Sequence, residues 1–267
     1  MSTARTSSPP AVWDRVLCGI DGTPAGFDAA RQAARLMPAS GQLTLCAVIN
    51  PVSIQPSASS EQQLTRQAEE ALEQTQQNIA AFHDADLILR EGPPIKRLLD
   101  ELTAERATLV AVGSHGQSRA AGIALGSVAT AMLHEAPCSV LVAHGTALED
   151  VRSGREIIVG FDGSGASRRA LAVGREVSER LPAKLRVIVA TGGAMIAPEL
   201  PWLAEDLEPN VAVTEDPRPP VEALADASAS AGLMIVGSRH LPGVLSALLS
   251  VSERAAHRAH CPVLVVR

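Results

Sequence analysis

Apolar runs recur along the chain at 16–20, 43–49, 86–89, 108–112 and 139–143, and between them the apolar positions fall at helical spacing. The runs are rich in Val, Leu and Ile on both strand faces, as buried strands require. One helix is predicted to begin near Pro24, and another to run from Ser127 to Glu135. A third, long and amphipathic, is predicted from Ser60 to about His83. Ser60 and Gln63 open it as a capping box, Leu64, Ala68 and Leu72 share one spacing, and Ile79 and Phe82 another. The order is β-α-β-α-β-α-β-α-β, which predicts a parallel sheet covered on both faces and joined by right-handed crossovers. Ligands of such sheets bind beyond the carboxyl ends of the strands.

The pattern then repeats. Val16 to Thr23 reads VLCGIDGT and Ile157 to Ser164 reads IIVGFDGS; LVAVGS at 109–114 returns as LMIVGS at 233–238; and PCSVLV at 137–142 returns as CPVLVV at 261–266. The offset is 141 residues at Asp21/Asp162 but 124 at Gly113/Gly237, so the second copy is 17 residues shorter between these points. The loss falls where the long helix stands in the first copy. There the second copy has Gly192-Gly193, Pro198, Pro201 and Pro209, too broken for an equal helix, and a loop or short helix is expected. The expected organisation is a disordered tail over 1–13, a first unit over 14–144, a polar linker over 145–155 and a second unit over 156–267.

Composition narrows the function. A net charge of −6 gives no basic field for nucleic acid or an anionic membrane, and with five aromatic residues and no Tyr there are no stacking platforms for single strands. The start of the chain lacks the apolar stretch of a secretory signal and no run is long enough to span a membrane, so a soluble cytoplasmic protein is expected. Cys18, Cys46, Cys138 and Cys261 lack metal-site spacing and lie in or beside apolar runs, which predicts buried, reduced thiols. No metal site and no catalytic residue is assigned.

The chemistry stands at the strand ends. After the fourth run comes Gly113-Ser-His-Gly116, and after nine intervening residues Gly126-Ser127-Val128 opens a helix. Glycines let backbone N–H groups approach a phosphate, and a helix N-terminus supplies unpaired donors with partial positive charge. Equally, Gly113 and Gly116 make an ordinary strand-to-helix turn, with Ser127 an N-cap. Asp21 follows the first strand, which neighbours the fourth in a 3-2-1-4-5 sheet, so both face one crevice. It can accept hydrogen bonds from a base or ribose, hold magnesium through water, or cap the helix near Pro24. There is no GxxxxGK[ST] and no GxSxG, and no GxGxxG follows the first strand, which disfavours a Walker NTPase, a serine hydrolase and a dinucleotide dehydrogenase. His115 is the one candidate acid or base.

On these residues, Gly-Ile-Asp-Gly-Thr, the Gly-Ser-His-Gly loop with Gly126-Ser127-Val128, and the closing Cys-Pro-Val-Leu-Val-Val, each half resembles a universal stress protein domain, and the chain its tandem form. The resemblance implies two flavodoxin-like (Rossmann-like) α/β domains, each a five-stranded parallel sheet of order 3-2-1-4-5 with helices on both faces. It also implies bound ATP, with Mg2+, slow or absent hydrolysis, and a role in stress or dormancy. The adenine and ribose contacts fall on Asp21, Val48, Val112 and Gly113, and the phosphate contacts on Gly116, Gly126, Ser127 and Val128. In the second half His240 and Leu249 replace glycines, so Asp162, Gly237, Ser250 and Val251 mark a degraded site at most. Pairing of the halves through their last strands, 139–143 and 262–266, is expected as an intramolecular pseudo-dimer, with a homodimer also open; a protein partner is not identified. The alternatives are a slow ATPase or phosphoryl-transfer enzyme and a nucleotide-free interaction module.

Overall fold

The computed structural model describes residues 13–50, 58–115, 125–145, 154–192, 211–238 and 250–267. Ten strands form one sheet: β1 (Arg15–Ile20), β2 (Gln42–Ile49), β3 (Asp86–Glu91), β4 (Leu109–Gly113), β5 (Ser139–Ala143), β6 (Glu156–Gly160), β7 (Leu185–Ala190), β8 (Val211–Asp216), β9 (Ala231–Gly237) and β10 (Val263–Val266). Their order is β3-β2-β1-β4-β5-β10-β9-β6-β7-β8. Each half is therefore a parallel 3-2-1-4-5 sheet, and β5 and β10 join the halves as an antiparallel pair with Leu264 opposite Leu141.

Seven helices accompany the strands among the described residues: α1 (Pro24–Leu36), α2 (Ala58–Ile79), α3 (Pro94–Ala104), α4 (Ser127–Glu135), α5 (Gly165–Arg180), α6 (Pro220–Ser228) and α7 (Val251–Arg258). The twofold alternation of side chains along each strand divides the apolar residues between two cores. Cys18, Ala111, Leu141, Leu264 and Val159 face α1, α2 and α5. Leu17, Val110, Val140, Val265 and Ile158 face α3, α4, α6 and α7. Both cores run unbroken across the β5–β10 seam, so burial of aliphatic area binds the halves as it binds each half.

The helices lie close to the sheet because their inner faces are small. α1 presents Ala29, Ala30, Ala33 and Ala34, and in α5 a Cβ on Gly174 would fall 2.6 Å from a methyl of Val159. The aliphatic composition thus gives helix–sheet contact through backbone proximity rather than large interlocking side chains.

Several boundaries differ from the sequence expectation. α2 begins at Ala58, so Ser60 lies inside the helix and does not cap it. It ends at Ile79, whose carbonyl accepts from the amides of Phe82 and His83 in a closing turn. Phe82, expected on the buried face, is 44% exposed, with the Arg35 guanidinium 4.6 Å from its ring centroid. β3 continues two residues beyond 89 because backbone pairing with β2 persists through Arg90 and Glu91 after the apolar pattern stops. The tail expected over 1–13 does not include Trp13, which is buried and belongs to the first of the two cores. The segment expected to replace the long helix, 193–210, lies outside the described residues, as does most of the expected linker.

The four cysteines are buried and free. Burial pushes the thiols of Cys46 and Cys261 up to about 12 and that of Cys138 up to about 11, and raises Cys18 as well. Such thiols have little thiolate character and serve as small apolar side chains.

Candidate functional site

Strand register brings the candidate residues to one edge. Ile20 pairs with Ala47 and Cys18 with Ala111, so Asp21 follows level with Val48, and Val112 and Gly113 end the neighbouring strand. Val112 is buried and Val48 is half-buried against the same core, on the face that carries α4.

The turn after β1 is built from Asp21, Gly22 and Thr23. Gly22 takes φ +75°, open to glycine at no steric cost. That reversal lets the Asp21 carboxylate accept from the Thr23 amide at 3.0 Å and from the Thr23 hydroxyl at 2.6 Å. Thr23 in turn caps α1 by accepting from the Gly26 amide at 3.3 Å. The cap of α1 is therefore Thr23 and not Asp21, which is exposed at the sheet edge and orients the cap. The second half repeats this geometry: Gly163 has φ +78°, Asp162 accepts from the Ser164 amide at 3.0 Å, and Ser164 caps α5 through Ser167.

Gly113 has a structural task distinct from the one expected of it. A Cβ there would lie 2.7 Å from the carbonyl carbon of Ala25, so glycine is required for α1 to rest on the end of β4. Gly237 meets Ala166 in the same way, at 2.3 Å, so close packing alone calls for a glycine there.

Beyond Gly113, the Ser114 amide continues the sheet by donating to Ala143 at 3.0 Å. Its buried hydroxyl lies 3.0 Å from Nδ1 of His115. Gly116 lies outside the described residues. The loop is closed by the Gly126 amide, which donates to the Ser114 carbonyl at 2.7 Å and so fixes the start of α4 beside the end of β4.

The helices α4 and α7, which stand at matching places in the two halves, begin differently. The N-cap of α4 is Gly126, with no side-chain capping bond; Ser127, offered above as the cap, is instead the first helical residue and is exposed. The early N–H groups of α4 thus have no side-chain cap. In α7, the N-cap Ser250 accepts from the Glu253 amide at 3.3 Å, and the Glu253 carboxylate accepts a backbone hydrogen bond from Ser250. This reciprocal capping box fills the helix end with the chain's own oxygens. Val251 follows it and is exposed, whereas His240 and Leu249 lie outside the described residues. Glu253 is absent from the sequence-based candidates, although Ser250-x-x-Glu253 is the capping-box spacing.

Elsewhere, a concavity of about 560 Å³ is lined by Gln42, Leu43, Phe82, His83 and Asp86. It lies at the amino ends of β2 and β3, opposite to the edge that carries Asp21. Among the described residues no group of three His, Cys, Asp or Glu side chains is placed to hold a metal ion, and no helix is long and apolar enough to cross a membrane.

The class defined by this architecture is a pseudo-twofold pair of flavodoxin-like units, with candidate sites at the carboxyl edges of the strands. The chain belongs to the universal stress protein family, whose pattern matches residues 13–144 and 193–267. It is 31% identical over 212 residues to the universal stress protein Rv2623 of Mycobacterium tuberculosis, covering 67% of this chain and 71% of that protein. A universal stress protein of Mycolicibacterium smegmatis is 28% identical over 94% of this chain and 96% of its own length. The crystal structure of a universal stress protein from Archaeoglobus fulgidus shares the fold over 96% of this chain and 98% of that one, with a TM-score of 0.76 at 24% identity.

Proposed function

We propose that the first half binds ATP and that the chain acts as a cytoplasmic nucleotide-dependent regulator in stress or dormancy, with slow or no hydrolysis. The observation that carries this reading is the start of α4. Its N-cap is a glycine, its first residue an exposed serine, and its amides lack a side-chain cap, at the end of the strand beside Asp21. Such an end suits a phosphate group. Asp21 and Val48 stand where the ribose and base would lie, and Gly116 and Val128 would complete the phosphate cradle. Magnesium fits as a companion of the nucleotide, held chiefly by phosphate oxygens with Asp21 as the nearby carboxylate, because hard cations of this size keep most of their waters and need few protein ligands.

The second half is proposed to bind nucleotide weakly or not at all, since the capping box at Ser250 and Glu253 already pairs two amides at the start of α7 and holds a carboxylate there, where it would repel phosphate.

Calorimetric titration of the whole chain with MgATP tests both statements. One ATP per chain is expected; two equivalent sites overturn the assignment of the second half, and no binding overturns the reading as a whole. Phosphate release that survives His115→Ala and Asp21→Ala would count against a role for either residue in hydrolysis.

A further inference from the structure

The two ends of α4, a helix of the first half, meet different surroundings. Its first turn meets the proposed nucleotide, while its last turn is held by residues of the second half. The Arg267 guanidinium, beyond β10, donates to the carbonyls of Ala136 and Leu133, and to that of Met132 at 3.4 Å. The carbonyls of Leu133 and Ala136 are acceptors of the kind a helix leaves unpaired at its C-terminus, Met132 already accepting from the Ala136 amide at 3.1 Å, and a cation there is also favoured by the helix dipole. Alongside, Nε2 of His134 lies 2.6 Å from the carboxylate of Glu253, whose side chain is buried.

Among the described residues this hold is one-sided. The Ser114 amide donates to Ala143 and the Ser238 amide to Val266, so the pseudo-twofold matches Arg267 to His144. His144 is a short side chain whose Nε2 is buried with no hydrogen-bond partner among the described residues. Matching Ser250 to Ser127 likewise sets Thr130 opposite Glu253 and His134 opposite His257. The arginine and the carboxylate both act on the helix of the half that keeps its glycines.

We propose that the second half is a clamp that positions the phosphate-binding end of α4, with Arg267 and Glu253 as positioning residues acting through that helix. The inference rests on the reading that ATP phosphates meet the start of α4. A helix of nine residues is about 14 Å long, too short to bend appreciably, so fixing its last turn fixes the direction of its first amides. Preorganised donors lose less freedom on binding. By linkage, a ligand at the first turn tightens the clamp at the last.

The test uses the whole chain as wild type, Arg267→Ala, Arg267→Lys and Glu253→Gln. ATP and adenosine binding are measured by calorimetry, and amide exchange is measured with and without ATP. The clamp predicts ATP binding weakened about fivefold or more in Arg267→Ala. It also predicts unchanged adenosine binding, partial recovery in Arg267→Lys, a smaller loss in Glu253→Gln, and slowed exchange over Val251–Arg258 and Val263–Val266 when ATP binds the wild type. Should Arg267→Ala fail to fold, Glu253→Gln and the exchange data carry the decision. Wild-type ATP affinity in the folded variants, or ATP protection confined to the first half, overturns the clamp alone. Absence of ATP binding by the wild type overturns the nucleotide reading and the clamp together.

Discussion

Gly113 and Ala25 approach so closely that a Cβ on the glycine would lie 2.7 Å from the alanine carbonyl carbon and 2.9 Å from its oxygen. The neighbour is helix backbone, which cannot rotate aside as a side-chain tip would. Gly113→Ala is expected to cost about 1–3 kcal/mol of stability by overpacking. Gly237→Ala should cost more, because Ala166 stands at 2.3 Å. Denaturant midpoints of the two variants check the order; a neutral Gly113→Ala would return that glycine to a purely ligand-facing role.

Gly126 has φ −72° and ψ 162°, a conformation open to any residue. Gly126→Asp should therefore supply the missing cap and raise stability by a few tenths of a kcal/mol. The same carboxylate should weaken ATP binding about tenfold or more through like-charge repulsion. Opposite signs in thermal unfolding and calorimetry are the expected result. Stabilisation with undiminished ATP affinity would move the phosphate site away from α4.

The sequence carries much of this organisation and misses a definable part. Apolar runs located the strands because parallel strands are buried on both faces, and the closing runs at 139–143 and 262–266 mark the edges that meet as β5 and β10. Local competition among capping residues was harder to read. Asp21 and Thr23 both suit a cap, and only the positive φ of Gly22 decides that Thr23 takes it. Gly126 and Ser127 exchange roles for a similar reason, a one-residue change in where the helix begins. Contacts such as His134 with Glu253 and Arg267 with the end of α4 join positions more than 100 residues apart, with no periodicity to announce them.

Leu141 and Leu264 face one another across the seam and are fully buried. Leu141→Ala should cost about 2–5 kcal/mol, as should Leu264→Ala, and the double variant should lose less than the sum because both open the same space. Slow amide exchange over Ser139–Ala143 should accompany the wild-type fold. Rapid exchange there would contradict the antiparallel pairing.

Burial, with help from His115 and His260, pulls His144 down to about 4 from an ordinary value of 6.5. Between these values the unfolded chain binds more protons at this position than the folded one. Its stabilising contribution is thus complete above about pH 6.5 and is lost as pH falls toward 4, at up to about 1.4 kcal/mol per pH unit. Glu253, raised chiefly by burial, acts in the opposite sense, losing stability as pH rises. His144→Phe should show a shallower fall in urea midpoint from pH 6.5 to 4 than the wild type. An identical slope would place the pH response elsewhere.

The β5–β10 pair also sets a schedule for synthesis. β5 is complete at Ala143, but its partner begins only at Val263, some 120 residues later. At about 5–20 residues per second, the first unit leaves the ribosome roughly 6–24 s before that partner exists. During that interval its last strand, Ser-Val-Leu-Val-Ala, is an apolar edge open to neighbouring nascent chains. The fused second unit shortens the exposure from a search for a separate subunit to the time of elongation, and makes closure of the edge independent of protein concentration.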